Sequence, residues 1–231
     1  MNIILLKSQV VDSNELIIDE LRHLTHIRTQ LKVSVGDCLK VGIQNGLRYI
    51  TTITEITETL IHVTIVSEDI VPEKHPVVLV LALPRPKVLR RLIMDSVTLG
   101  VEKIILIHSY RVDKSYWQSP FLNQLDDYIR LGLEQAGDTI MPEIVQYRRF
   151  KPFVEDVLSQ VTAPIFVAHP YATERFSSIN QPCYLVVGPE GGFIPYEIEL
   201  LKANGCQTIQ LGNRILRTET VIPYLLGHFQ F

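Results

Sequence analysis

Cysteine is scarce in this chain. Cys38, Cys183 and Cys206 are odd in number and far apart, so no disulfide framework is implied, and reduced thiols in a cytoplasmic protein are expected. Long apolar runs are missing as well: the strongest, VVLVLAL at 77–83, is strand-sized, and no membrane span is expected. Nor is there a surplus of positive charge, since 22 Lys and Arg stand against 25 Asp and Glu, a formal net charge of −3. That argues against a surface coated in positive charge, although a local basic patch suffices for a structured RNA site. What the chain does have is apolar content. At 46% of 231 residues it can fill a core in one large domain or two small ones.

Two basic patches stand against this background. PRPKVLRR (84–91) carries Arg85, Lys87, Arg90 and Arg91; YRRFK (147–151) carries Arg148, Arg149 and Lys151 beside two aromatics. Solvated charge is the plain reading of either. Cations in the first turn of a helix oppose its macrodipole, however, and RNA binding would account for that mild cost at 84–91. His23 and His26 share a helix face but have no evident third ligand, so no metal is expected, and Tyr116 and Trp117 read as packing or interface residues.

Residues 1–72 read as β-rich. LKVSVGDCLKVG (31–42) places a Gly-Asp turn between two strand-like pieces, Asn45-Gly46 is a hairpin signal, and TLIHVTIVSEDI (59–70) alternates at period two. This predicts a small barrel, with VPEKHP (71–76) as the linker. From 77 onward strands alternate with helices. Pro86 opens a helix that Gly100 stops, Ser119-Pro120 begins one that Gly137 ends, Pro195 begins another, and 218–229 is the last; VVLVLAL, KIILIH, EIVQY, IFVAH, YLVVG and TIQLG are the strands. The pattern predicts an α/β domain over 73–231 with a mostly parallel sheet. In such sheets ligands bind beyond the carboxyl ends of the strands, and three loops qualify: His169-Pro170, GPEGGF (188–193) and GNRILRTET (212–220).

The glycine loop fails both familiar phosphate patterns. Glu190 stands where the second glycine of the dinucleotide fingerprint belongs, and Phe193 and Ile194 stand where a P-loop needs Gly and Lys. A carboxylate in mid-loop also repels pyrophosphate. Bare amides at Gly191 and Gly192 with one negative charge suit a ligand with a positive centre better.

LVVGPEGGF..YEIE, followed by LGNRILRTET, resembles the bacterial 16S rRNA (uracil-N3) methyltransferases of the SPOUT superfamily. LGV (99–101), EQAG (134–137), MPEI (141–144), His26 and LKVSVGD extend the resemblance over nearly the whole chain. It implies a PUA-like barrel over 1–72, an RNA-binding domain, and a methyltransferase domain over 73–231 with a C-terminal trefoil knot. It also implies a cytoplasmic homodimer that uses S-adenosyl-L-methionine to methylate N3 of a uridine in 16S rRNA, in the assembled small ribosomal subunit. The apolar residues Val221, Ile222, Leu225, Leu226 and Phe229 of the last helix, more than one sheet face obviously needs, fit a dimer interface.

On this resemblance the cofactor site comprises His169, Gly188, Pro189, Glu190, Gly191, Gly192, Leu211, Gly212, Ile215, Leu216 and Thr218. Arg28, Lys32, Arg85, Lys87, Arg90, Arg91 and Arg214 are expected on RNA; Arg217 would stabilise charge on a uracil oxygen, and Glu190 or Glu219 would be the base. Asp95, Thr98, Asp138, Thr29, Lys32 and Pro223 depart from the family's usual residues, which leaves open a related enzyme with another rRNA or tRNA target. A non-catalytic RNA-binding or ribosome-assembly protein is the alternative of another class. A nucleotide-dependent oxidoreductase is already weakened by the glycine spacings.

Overall fold

The computed structural model describes residues 1–9 and 14–229; residues 10–13 of the expected first domain and 230–231 of the second lie outside the described residues. The chain forms two compact units, Met1–Glu73 with Arg130–Met141, and Lys74–Ile129 with Pro142–Phe231.

The first unit contains β1 (Ile4–Leu6), β2 (Glu15–Ile18), α1 (Leu21–His26), β3 (Cys38–Ile43), β4 (Arg48–Ile56) and β5 (Ile61–Asp69). The strands form one sheet in the order β1-β3-β4-β5-β2, with β1 parallel to β3 and the other pairs antiparallel. Asn45, at φ 58°, makes the turn between β3 and β4 that its Asn-Gly pair predicts. Leu16, Ile18, Val41, Ile53, Ile61 and Val63 line the inner face, and Leu24 and Ile27 of the helical segment pack on them. The first strand-like piece of 31–42 is not a strand. A π-type turn over Ile27–Leu31 continues α1 and ends at Lys32, left-handed at φ 53°. The chain then folds on itself, with Ser34 N–H donating to the Asp37 carboxylate at 2.7 Å.

The segment Arg130–Met141 belongs with these strands, so the expected domain over 73–231 is interrupted. The cause is a cluster of paired charges. Glu134 accepts two hydrogen bonds from Arg22, at 2.7 and 2.6 Å, and one of its oxygens lies 2.7 Å from Nε2 of buried His23. Arg130 donates to both oxygens of Glu20, at 3.1 and 2.7 Å, and to the Leu5 carbonyl at 2.8 Å. The hydrogen bond from Arg130 holds the Glu20 carboxyl down at about 2 against the opposing effect of burial. Burial pushes Glu134 up, but hydrogen bonds from His23 and Arg22 outweigh it and keep that carboxyl below its ordinary range.

The second unit alternates β6 (His75–Ala82), α2 (Pro86–Thr98), β7 (Val101–Ile107), α3 (Leu125–Ala136, shared with the first unit), β8 (Glu143–Tyr147), α4 (Phe150–Pro152), β9 (Ile165–Ala168), β10 (Glu174–Arg175), β11 (Cys183–Val187), α5 (Pro195–Ala203), β12 (Gln207–Gln210) and α6 (Thr218–Leu226). Its seven strands lie in the order β10-β12-β9-β11-β6-β7-β8, every pair parallel. Such strands are buried on both faces, which explains unbroken apolar runs such as VVLVLAL. His75 and Pro76 of the expected linker already belong to β6. Between β9 and β11 the chain forms only the two-residue β10, although the alternation made a helix plausible there.

The last helix corrects a second expectation. Val221, Ile222, Leu225 and Leu226 are at most 8% exposed, buried within this one chain where α6 packs on α2 and β11, and Phe229 beyond it is buried too. They are not spare surface, so they supply no argument for a dimer. Among the described residues no helix is long and apolar enough to cross a membrane, and no group of three or more His, Cys, Asp or Glu is placed to hold a metal. The three cysteines are free; burial raises the thiol of Cys183 to about 12 and that of Cys206 to about 11, which keeps both as inert thiols.

Candidate active site

A parallel sheet places the carboxyl ends of all its strands on one edge, and the loops after β9, β11 and β12 meet there around one cavity of about 260 Å³. Its wall includes all eleven residues expected at the cofactor: His169; Gly188, Pro189, Glu190, Gly191 and Gly192; and Leu211, Gly212, Ile215, Leu216 and Thr218. Sequence positions 169 and 218 are thus brought together by the register of β9, β11 and β12.

The glycines have separate reasons to be glycine. Gly192 (φ 69°) and Gly212 (φ 120°) adopt left-handed backbone with open space where a Cβ would stand. At Gly191 a Cβ would meet the Arg111 side chain at 3.0 Å, and at Gly188 it would meet Phe193 at 3.3 Å. The cavity is therefore lined by uncovered main chain with an apolar wall from Leu211, Ile215 and Leu216.

Two residues not singled out in the sequence hold the loop. Arg111 lines the cavity and donates from Nη1 to the Gly191 carbonyl. Glu197, 2% exposed, uses both carboxylate oxygens, one accepting from Tyr110 N–H at 2.7 Å and the other from Ile194 N–H at 3.0 Å. The start of α5 is thereby bonded to the loop after β7. That loop also follows a strand's carboxyl end, so the rule that selected the other three loops covers Arg111 as well. Burial, and next Lys202, lower the proton affinity of His169, which favours the neutral imidazole at this cavity residue.

The expected catalytic and RNA residues are placed less uniformly. Glu190 lies in the wall and accepts from Arg85 N–H at 3.1 Å and Arg85 Nε at 3.3 Å. Its charge is shared with an arginine, which softens the picture of a lone carboxylate facing the ligand. Glu219 accepts from Arg91 at 3.0 Å and, like Arg217, is outside the cavity wall. Arg214 is in the wall, whereas Arg90 lies over the Tyr128 ring at 5.2 Å and Lys87 is exposed on α2. In the first unit, Arg28 donates to the carbonyls of Thr57 and Glu58, and Lys32 is exposed. Several departures have local structural uses. Thr98 bonds back to the Met94 carbonyl at 2.8 Å, and buried Asp138 accepts from Ile140 N–H at 2.9 Å.

Residues 71–230 match the sequence profile described as RNA methyltransferase domain. A ribosomal RNA small subunit methyltransferase E of Treponema pallidum is 31% identical over 207 residues, spanning 84% of this chain and 77% of the relative. The chain belongs to the ribosomal RNA small subunit methyltransferase E family. A Borreliella burgdorferi relative of the same name, number 2, is 24% identical across 100% of this chain and 97% of its own length. The fold is shared with the Neisseria gonorrhoeae methyltransferase E solved with S-adenosyl methionine bound, at a TM-score of 0.80, 19% identity and coverage of 98% and 95%. A Legionella pneumophila structure solved with the same cofactor gives 0.79, 23%, 98% and 95%. This family member shares with the Neisseria gonorrhoeae structure an α/β fold, here with a mostly parallel sheet.

Proposed function

We propose that this chain is an S-adenosyl-L-methionine-dependent methyltransferase that modifies N3 of a uridine in 16S rRNA. The observation that carries the proposal is the convergence of the 188–193 and 211–218 loops on one cavity in a member of this family. The donor set fits the cofactor. Uncovered main chain at Gly191, Gly192 and Gly212 offers close approach to adenine and ribose, and Leu211, Ile215 and Leu216 give the base an apolar wall.

Bound S-adenosylmethionine supplies an electrophilic methyl group carried on a sulfonium. The chain's own residues must bind and orient, and must manage the proton that uracil N3 carries at neutral pH. Arg217, exposed at the N-terminal boundary of α6, is free to stabilise the negative charge that develops on a uracil oxygen as that proton leaves. Glu190 and Glu219 are the candidate acceptors. Both ion pairs use Oε1, which leaves Oε2 of either carboxylate for the proton, directly or through water.

The remaining features of the reading are a PUA-like barrel over 1–72, a methyltransferase domain over 73–231 with a trefoil knot near its C-terminus, a homodimer, a cytoplasmic location and the assembled small subunit as substrate. The position of β11 between the earlier strands β6 and β9 supports the knot, since the chain must return into its own sheet. The test is methyl transfer from labelled S-adenosylmethionine to small subunits of a strain lacking this gene, with the site mapped by reverse transcription. An N3 methyl blocks the pairing edge of uracil, so a new stop at a uridine is expected. Label in another nucleotide, or none with well-folded protein and native subunits, would sink the assignment.

A further inference from the structure

The second basic patch plays no part in the cofactor site, and like the first patch, which follows β6, it lies beyond the carboxyl end of a strand. It follows β8, so it sits on the same edge of the parallel sheet as the cavity. The rings of Phe150 and Phe193 lie 5.8 Å apart, and Phe193 is in the cavity wall. YRRFK is therefore continuous with the glycine loop, and the loop after β7 adds Arg111 and Lys114 beside it.

Arg148 is held in place but not neutralised. Arg148 lies over the Trp117 ring at 5.3 Å, and Trp117 is itself fixed by donating from Nε1 to His108 Nδ1 at 2.9 Å. Tyr147 packs against buried Phe153, their rings 4.8 Å apart. Arg148, Arg149 and Lys114 are exposed and have no carboxylate partner among the described residues. Lys151 has a loose pair with Glu155 at 3.6 Å. The nearby acid, Asp113, is turned to Ser115 N–H at 2.8 Å. On the first patch, by contrast, Arg85 and Arg91 hold Glu190 and Glu219.

Resting on the RNA-methyltransferase reading, we propose that Arg148 and Arg149, with Arg111 and Lys114, form the face that docks the phosphate backbone of the substrate RNA beside the cavity. Unpaired guanidinium groups match phosphate oxygens in geometry and charge. On a chain of net charge −3 such a face is a local feature, suited to a polyanion. Tyr110, 76% exposed on the same loop as Arg111, offers a ring on which an unpaired base can stack.

The test uses the full chain and a fluorescein-labelled RNA stem-loop, with anisotropy read across a salt series. Arg148→Ala/Arg149→Ala is expected to weaken binding and to lower the slope of log K against log salt by about 2, one per lost phosphate contact. Arg85→Ala/Arg91→Ala should change the slope less. Calorimetry with S-adenosylhomocysteine should give the same affinity for wild type and for the 148/149 variant, which shows that the variant is folded. An unchanged slope in the 148/149 variant overturns the proposal, as does a wild type that binds the cofactor product but not this RNA. Polyglutamate competing as well as RNA would reassign the face to an acidic protein. Loss of S-adenosylhomocysteine binding in wild type would instead strike the methyltransferase reading and leave the RNA result to stand separately.

Discussion

In the first unit Arg22 and Arg130 are joined to Glu134 and Glu20 inside a packed setting; in the second, Arg85 and Arg91 touch Glu190 and Glu219 at the open rim of a cavity. The partners are chemically the same, but their surroundings are not. The side chains of Glu134 and Arg130 are 1% and 4% exposed, whereas those of Arg85 and Arg91 are 66% and 65% exposed. A buried charge that loses its partner has no water to replace it, so it ties the segment 130–141 to the first unit. An exposed pair is exchangeable at little cost, which is what a surface that must admit RNA requires.

The largest expected effect lies on the buried side. Glu134→Ala leaves Arg22 and His23 facing an unfilled acceptor and should lose about 3–5 kcal/mol of stability in urea unfolding. Glu190→Ala should lose about 0–1 kcal/mol in the same experiment. Equal losses would erase the distinction between the two regions.

The next effect belongs to the cavity. Gly192→Trp fills open space beside the glycine loop and strains a backbone at φ 69°, so S-adenosylhomocysteine affinity should fall by about 100-fold or more, roughly 2.7 kcal/mol. Retained affinity would move the cofactor out of this loop.

Acid offers a finer test. Glu20 titrates at about 2 in the folded chain, below its ordinary 4.5, so its contribution is complete above 4.5 and is lost as the pH falls toward 2. Glu20→Gln should remove that part of the pH dependence while leaving neutral-pH cofactor binding intact. A variant with the same acid profile as wild type would show that the bond from Arg130 contributes nothing.

The smallest difference concerns the proton acceptor. Of Glu190→Gln and Glu219→Gln, only the variant that removes the base should slow single-turnover methyl transfer, and both should fold normally. Normal rates in both would exclude either as the base.

The alternation of strands and helices after residue 77 was legible because each element carries its own period and its own punctuation, Pro86 and Gly100 being one example. The cavity residues were legible because the glycine loop and LGNRILRTET are contiguous motifs. Long-range pairing was not. Nothing local to Glu134 announces Arg22, His23 and the strands of the first unit, so 130–137 read as the tail of a helix in the second domain, with 138–141 following it there. Residues 31–35 misled for a related reason, since their apolar alternation meets no partner strand and Val35 is left 60% exposed. The α6 residues looked surplus because the sequence does not show that α2 covers them.

Trp117 is the only tryptophan in the chain, and it lies under Arg148 with its indole N–H on His108. The protein therefore carries a built-in optical reporter at the face beside its cavity. Burial, and next Lys114, depress the proton affinity of His108 below that of an ordinary imidazole, which favours the neutral ring whose Nδ1 accepts the indole N–H. Emission from Trp117 should accordingly hold steady across neutral pH, so that a change on adding RNA reports displacement of the guanidinium above the ring and not a titration.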